Sequence, residues 1–224
     1  MKAMILAAGR GERMRPLTDN VPKALLNVGG HTLIEHHLLS LVEAGITEIV
    51  INVAWLGQQI MDYLGDGHRY GATIQYSDEG ERALETGGGI ANALPLLGAE
   101  PFWIVNGDVH ARFSFRDPVI VAKTLAHLVL VPNPDHNSRG DFALCDGLVR
   151  NTGEAMYTYS GIAVMRPELF ANHPGGVFPL APLLRSAADN GQLTGELLAE
   201  GWVDVGTPER LQAVADLYEP ARKP

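Results

Sequence analysis

The chain has 224 residues, 46% of them hydrophobic and 19% charged, a composition that supports a buried core without disulfide or metal staples. Its 17 Lys and Arg against 26 Asp and Glu give a formal net charge of −9, which disfavours non-specific contact with nucleic acid or anionic membrane, so a site for an anionic ligand must be a local exception. The lone Cys145 excludes an internal disulfide and suits a reducing, cytoplasmic setting; the N-terminal apolar run is too short for a secretion signal, and no run approaches the roughly 20 residues of a membrane span.

In chain order, "KAMILAA" predicts a buried strand. "TLIEHHLLSLVEAG" places Leu33, Ile34, His37, Leu38, Leu41 and Val42 at helical spacing, with Gly45 to end the helix. "EIVINVA" is the next strand, "GQQIMDYLG" a short helix and "ATIQYSDE" a third strand. "TGGGIANALPLL" predicts a Gly-rich loop entering a helix with Thr86 as N-cap, and "PFWIVNGD" a strand ending at Asp108 with Trp103 in the core. This alternation predicts a mostly parallel sheet with helices on both faces. The second half is less regular: "AHLVLVP", "DFALCDG" and "YTYSGIAVM" are strand-like and "PLAPLLRSAADNG" is helical. "GWVDVGT" is a short strand, and "TPERLQAVADLYE" a helix capped by Thr207 with Pro208 in its first turn. No linker divides the chain, and the later strands are expected to add antiparallel or edge pieces. His36 and His37 lack metal-ligand spacing and are expected to divide between core and solvent; Cys145 is a small strand residue, and His110 either faces a site or caps a turn.

The loop "ILAAGRGERMRPLT" follows the first strand, where ligands of parallel sheets bind. Gly9 and Gly11 let the backbone approach a ligand and direct N–H groups at it. A GxGxxG dinucleotide fingerprint would need glycine where Met14 stands, and a helix where Pro16 opposes one. Its ribose-binding acid would have to be Glu35, which lies inside a helix, so the dehydrogenase reading is weak. Positive charge replaces the third glycine: Arg10, Arg13, Arg15 and Lys23 crowd a short span offset by Glu12 and Asp19. Guanidinium forks match phosphate oxygens and lysine supplies a point charge, although Arg10 or Arg13 alone is equally an ordinary surface ion-pair residue.

From Leu6 to Ile34 the sequence "LAAGRGERMRPLTDNVPKALLNVGGHTLI" resembles the signature of the sugar-1-phosphate nucleotidyltransferases, and "LETGGGI", "VNGDV", "YSGIAVMRPELF" and "WVDVGTPERL" are similar to later motifs of that family. The resemblance implies a Rossmann-like three-layer α/β/α fold with a mixed, mostly parallel central sheet in one domain. Its nucleotide-binding half is about residues 1–110 and its sugar-binding half about 111–224. It implies transfer of a nucleoside monophosphate from a nucleoside triphosphate to a sugar 1-phosphate, with Mg²⁺ as cofactor and pyrophosphate released. The compact length and these segments point to UTP as donor and N-acetylmuramate 1-phosphate as acceptor. Mannose or another hexose 1-phosphate, with guanylyl or thymidylyl transfer, is the alternative, and a non-catalytic sugar-nucleotide-binding protein a remote one. A monomer or small homo-oligomer is expected, with no nucleic acid or membrane partner.

By the same resemblance Arg15 holds the triphosphate and Lys23 contacts the phosphates at the reaction centre. Asp108 and Asp204 hold the metal: two hard carboxylates at strand ends suit Mg²⁺, although either alone is as readily a loop cap. Leu6, Ala7, Ala8, Gly9, Gly11, Thr86, Gly87, Gly88 and Asn106 surround the nucleotide. Glu79 falls where relatives carry a base-reading glutamine; as a carboxylate it only accepts hydrogen bonds, from uracil N3–H or from guanine, and it is alternatively a solvated loop residue. The family's EKP-type sugar segment is not recognisable. Arg150, Asn151 and Glu154 occupy its place, beside Asn106 and Gly161, as candidate sugar contacts, with a plain strand-edge role equally open.

Overall fold

In strand β1 (Ala3–Leu6) the alternation of side chains sends Ala3 and Ile5 into one apolar layer and Met4 into the other. That two-sided burial runs through the sheet and requires helices on both faces. The computed structural model describes residues 1–80, 82–116, 123–173 and 175–218. A small hairpin, β2 (Asn27–Val28) and β3 (His31–Thr32), leads into helix α1 (Leu33–Glu43). Thr32 and Glu35 form a reciprocal capping box at its start, and Gly45, at φ +80°, turns the chain out of it. There follow β4 (Glu48–Val53), α2 (Gly57–Leu64), β5 (Thr73–Asp78), α3 (Glu85–Leu97), β6 (Phe102–Asn106) and β7 (Val109–Ala111). The second half contributes β8 (Ala126–Val131), β9 (Phe142–Cys145), β10 (Leu148–Arg150), β11 (Met156–Met165), α4 (Ala181–Asp189), β12 (Leu193–Leu197), β13 (Trp202–Asp204) and α5 (Pro208–Asp216). The expected last residue of the final helix, Glu219, lies outside the described residues.

The main sheet has nine strands in the order β5-β4-β1-β6-β11-β8-β12-β10-β9. β5, β4, β1 and β6 are mutually parallel. β11 runs antiparallel to both β6 and β8, so β8 and its parallel neighbour β12 point the same way as β1. Six strands therefore end at one edge, with a single reversed strand between them. Ile34, Leu38 and Leu41 of α1 pack on one face with Ile5, Ile51 and Trp103. Ile90, Ala93 and Leu97 of α3 and Leu184 of α4 cover the other face with Met4, Ile104 and Leu128. The fold is the mixed, mostly parallel three-layer α/β/α architecture expected.

Three local expectations change. β12 and β10, too short and polar to read as strands, sit inside the sheet and near its far edge. "GGG" is not a loop: the helix begins at Glu85, whose φ is +59°, with Leu84 as N-cap, so Thr86 is inside the helix and does not cap it. Asp108 is not the end of a long strand but the second residue of a Gly107–Asp108 turn between β6 and β7. β7 leaves the main sheet and pairs antiparallel with β13.

Candidate active site

The segments that follow β1, β4, β5 and β6 enclose a cavity of about 400 Å³, the size of a small-molecule site. Leu6, Ala7, Ala8, Gly9 and Gly11 line one wall, and Glu79, Thr86 and Asn106 lie on others. A Cβ added to Gly9 would meet nothing within 4 Å, which leaves the backbone open to a flat ligand there. Gly87 and Gly88 do not line the cavity. Their missing side chains make room for Phe178 and for the Gly176 carbonyl, packing the helix start against the 176–178 segment.

Gly11 adopts the left-handed φ of +69° that glycine tolerates best, and its carbonyl accepts from the Thr18 hydroxyl at 2.8 Å. The short turn after it buries Met14 completely. That plug separates its two neighbours. Arg13 lines the cavity, whereas Arg15 is exposed outside it and donates from Nε to Asp19 at 2.6 Å. The structure thus brings Arg13, not Arg15, to the cavity among the clustered arginines. Arg10 lies over the Trp55 ring, 3.8 Å from its centroid.

Lys23 is buried at 8% exposure and donates from Nζ to Asp108 Oδ2 at 2.8 Å; both line the cavity. A lysine so enclosed is retained because its charge is paired. The β7–β13 ladder then brings the second aspartate alongside: Asp204 pairs with Val109, and Val205 N–H donates to the Asp108 carbonyl at 2.9 Å. Asp204 Oδ2 accepts from Arg210 Nη1 at 2.6 Å and lies 3.1 Å from His136 Nε2. Oδ1 of each aspartate carries no hydrogen bond or ion pair to the described residues. A Cβ on Gly206, which lines the cavity, would come within 3.0 Å of Asp204 Oδ1 and 3.1 Å of guanidinium nitrogens of Arg13 and Arg210. The glycine keeps an open space where two cations and a carboxylate converge.

Asp204 itself borders a second cavity, of about 540 Å³, beyond the ends of β8 and β12. His136, Trp202 and Arg210 line it. Trp202 is held by its indole N–H, which donates to the Ser160 carbonyl at 2.9 Å. Arg150, Asn151 and Glu154 line neither cavity. Arg150 is exposed in β10 opposite Ala143, Glu154 is exposed, and the Asn151 amide donates to the Arg185 carbonyl and to Asp189 of α4. Gly161, at φ +82°, supports the site indirectly: a side chain there would overlap Asn106 at 2.6 Å.

Glu79 is also more constrained than its position in the sequence suggests. Oε1 accepts from Asn52 Nδ2 at 2.7 Å and Oε2 from Leu84 N–H at 2.6 Å, so both oxygens are engaged within the protein. Asn52, Arg13, His136, Arg210 and Gly206 are not among the expected site residues. A signal exists for Asn52, a polar residue inside the apolar run "EIVINVA". His110 lines neither cavity; burial, then His36 and Arg112, push its pKa down to about 4. His37 is the core-facing histidine, and burial holds it at about 4 against the opposing Val109 hydrogen bond. No helix among the described residues is long and apolar enough to cross a membrane.

A family profile described as nucleotidyl transferase matches residues 2–141. The chain is 53% identical to the N-acetylmuramate alpha-1-phosphate uridylyltransferase of Neisseria meningitidis serogroup B (strain ATCC BAA-335 / MC58), over 98% of this chain and 100% of that protein. It is 38% identical to the protein of the same name from Caulobacter vibrioides (strain ATCC 19089 / CIP 103742 / CB 15), over 97% of each. Among solved structures, a putative glucose-1-phosphate thymidylyltransferase from Bacillus anthracis superposes with a TM-score of 0.87 at 22% identity, covering 100% of this chain and 97% of that one, a likeness of fold.

Proposed function

The chain belongs to the nucleotidyl transferase family, and we propose that within it the protein transfers UMP from UTP to N-acetylmuramate α-1-phosphate, giving UDP-N-acetylmuramate and pyrophosphate. The observation that carries this reading is the 53% identity extending over 98% of the chain, which spans the segments of both cavities. In this reading the first cavity takes the nucleotide and the second the acceptor sugar. An acceptor phosphate oxygen attacks the α-phosphorus, the bond to the pyrophosphate oxygen breaks, and pyrophosphate departs with the electron pair. The nucleophile is already anionic, so the protein needs no general base. Its task is positioning and charge stabilisation. Arg13 and Lys23 supply the cations at the first cavity. Arg210 supplies positive charge at the second, with His136 beside it, where the lactyl carboxylate of the acceptor needs a partner.

The residues fit Mg²⁺. Asp108 and Asp204 would hold it through oxygens free of other protein partners among the described residues, beside the space that Gly206 leaves open. No group of three or more His, Cys, Asp or Glu side chains suited to a metal occurs among the described residues, which matches an ion that keeps waters and phosphate oxygens as its remaining ligands. When bound, the ion supplies charge neutralisation at the phosphates. A cytoplasmic place in the recycling of cell-wall sugars suits the single cysteine and the acceptor. The test is a matrix of four nucleoside triphosphates against the 1-phosphates of N-acetylmuramate, N-acetylglucosamine, glucose and mannose, read by pyrophosphate release. UTP with N-acetylmuramate 1-phosphate is expected to have the highest kcat/KM; another best pair would refute the assignment.

A further inference from the structure

Three hydrogen bonds link the two sides of the first cavity. Ala7 N–H, in the loop after β1, donates to Asn52 Oδ1 at 2.8 Å. Asn52 Nδ2 donates to Glu79 Oε1 at 2.7 Å, and Glu79 Oε2 accepts from Leu84 N–H at 2.6 Å, one residue before α3. Asn52 is 4% exposed at the end of β4, where an asparagine is tolerated because its amide oxygen and nitrogen are both bonded. The third glycine of "GGG" makes room for this chain of bonds: a Cβ on Gly89 would overlap Glu79 Oε1 and lie 2.9 Å from Asn52 Nδ2. The polarity is directional. Each backbone N–H meets an oxygen, and the donor between them is the Asn52 amide.

We propose that Asn52 and Glu79 are positioning residues for the donor nucleotide, a relay that fixes the Leu6–Gly9 backbone against the Glu85–Thr86 helix start so that the base and triphosphate enter a pre-spaced slot. Neither residue acts on the reacting atoms. The energetic argument is preorganisation: walls held at the correct separation before binding spare the nucleotide the cost of ordering them. The relay rests on the reading that this cavity takes UTP.

Reversal of the pair tests it. Glu79→Gln alone sets a second amide group against the Asn52 amide or the Leu84 N–H. Asn52→Asp alone sets two carboxylates face to face. The double variant Asn52→Asp/Glu79→Gln restores every bond with inverted polarity. Its carboxylate at position 52 accepts from Ala7 N–H and from the new amide at position 79, whose oxygen accepts from Leu84 N–H. UTP binding is measured by calorimetry, with steady-state kinetics and thermal melts for all four proteins. Each single change is expected to raise the Kd and KM for UTP at least tenfold while the acceptor KM stays within twofold, and the double variant to return within threefold of wild type. Single variants that bind UTP normally, a double variant as weak as the product of the singles, or equal damage to both substrates' KM values would overturn the relay. If the singles fail to fold, the double variant still decides, since it must fold and bind UTP. Failure of the wild-type chain to bind UTP would strike the functional reading instead.

Discussion

The two cavities sit on one sheet edge and share a device, an aspartate paired with a cation, yet they are built differently. The first is framed by the segments directly after four adjoining parallel strands, and much of its surface is backbone: Leu6 to Gly9, the helix start at Thr86, Gly206. The second is framed by side chains from Val131–His136, from Leu198–Asp204 and from Arg210, remote segments joined only by the topology. A nucleotide held by main chain demands glycines and small residues in fixed local order, which is a motif. An acceptor held by side chains demands only that a few of them converge, which leaves little trace in any one stretch.

The largest expected effects probe the charge at the boundary between the cavities. Arg13→Ala and Asp108→Asn should each lower kcat by about 10²–10³, the cost of removing a group aimed at developing phosphate charge. Arg15→Ala should stay within about threefold, as expected of an exposed ion pair. Equal losses at Arg13 and Arg15 would erase the distinction that Met14 creates.

Next in size is the acceptor side. Arg210→Ala should raise the KM for N-acetylmuramate 1-phosphate by about tenfold or more, in line with loss of a charge-assisted hydrogen bond, with the UTP KM little changed. Arg150→Ala should leave both unaltered. The reverse pattern would move the carboxylate anchor back to the exposed end of β10.

The smallest effect concerns the scaffold that both cavities share, where α1 supports β7. His37 is buried and neutral, with a pKa lowered to about 4 against 6.5 in the unfolded chain. The unfolded chain binds the proton first, so this contribution to stability is intact above pH 6.5 and is lost as pH falls from there through about 4. Between pH 7 and pH 5 the loss should be about 2 kcal/mol. Denaturant titrations of wild type and His37→Leu at both pH values measure it. A wild-type loss no greater than that of the variant would show that the histidine is not the group responsible.

The contrast between the cavities also marks what is legible in the sequence. β1, β4, β6 and α1 are readable because their apolar positions follow one period and α1 carries its own cap. Lys23 and Asp108 are readable because they lie in long mixed motifs. Arg13 and Arg15 are not separable by pattern, since only the burial of Met14 decides which of them faces inward. β12 escapes a sequence reading because "LTGEL" has no apolar alternation; its place in the sheet is won by pairing with β8 and β10. The expected sugar contacts fail to reach a cavity because Asn151 is committed to α4, while the residues that do reach one come from segments no local pattern joins.

The reversed strand β11 has a consequence for how such an enzyme changes its chemistry. By running against its neighbours it lets the chain cross to β8 and β12 and still finish at the edge where β1 and β6 finish. The donor and acceptor compartments therefore abut without sharing a loop of local sequence. Insertions or exchanges beyond β8 and β12 can retailor the acceptor while the nucleotide slot, on the other side of that reversal, keeps its register.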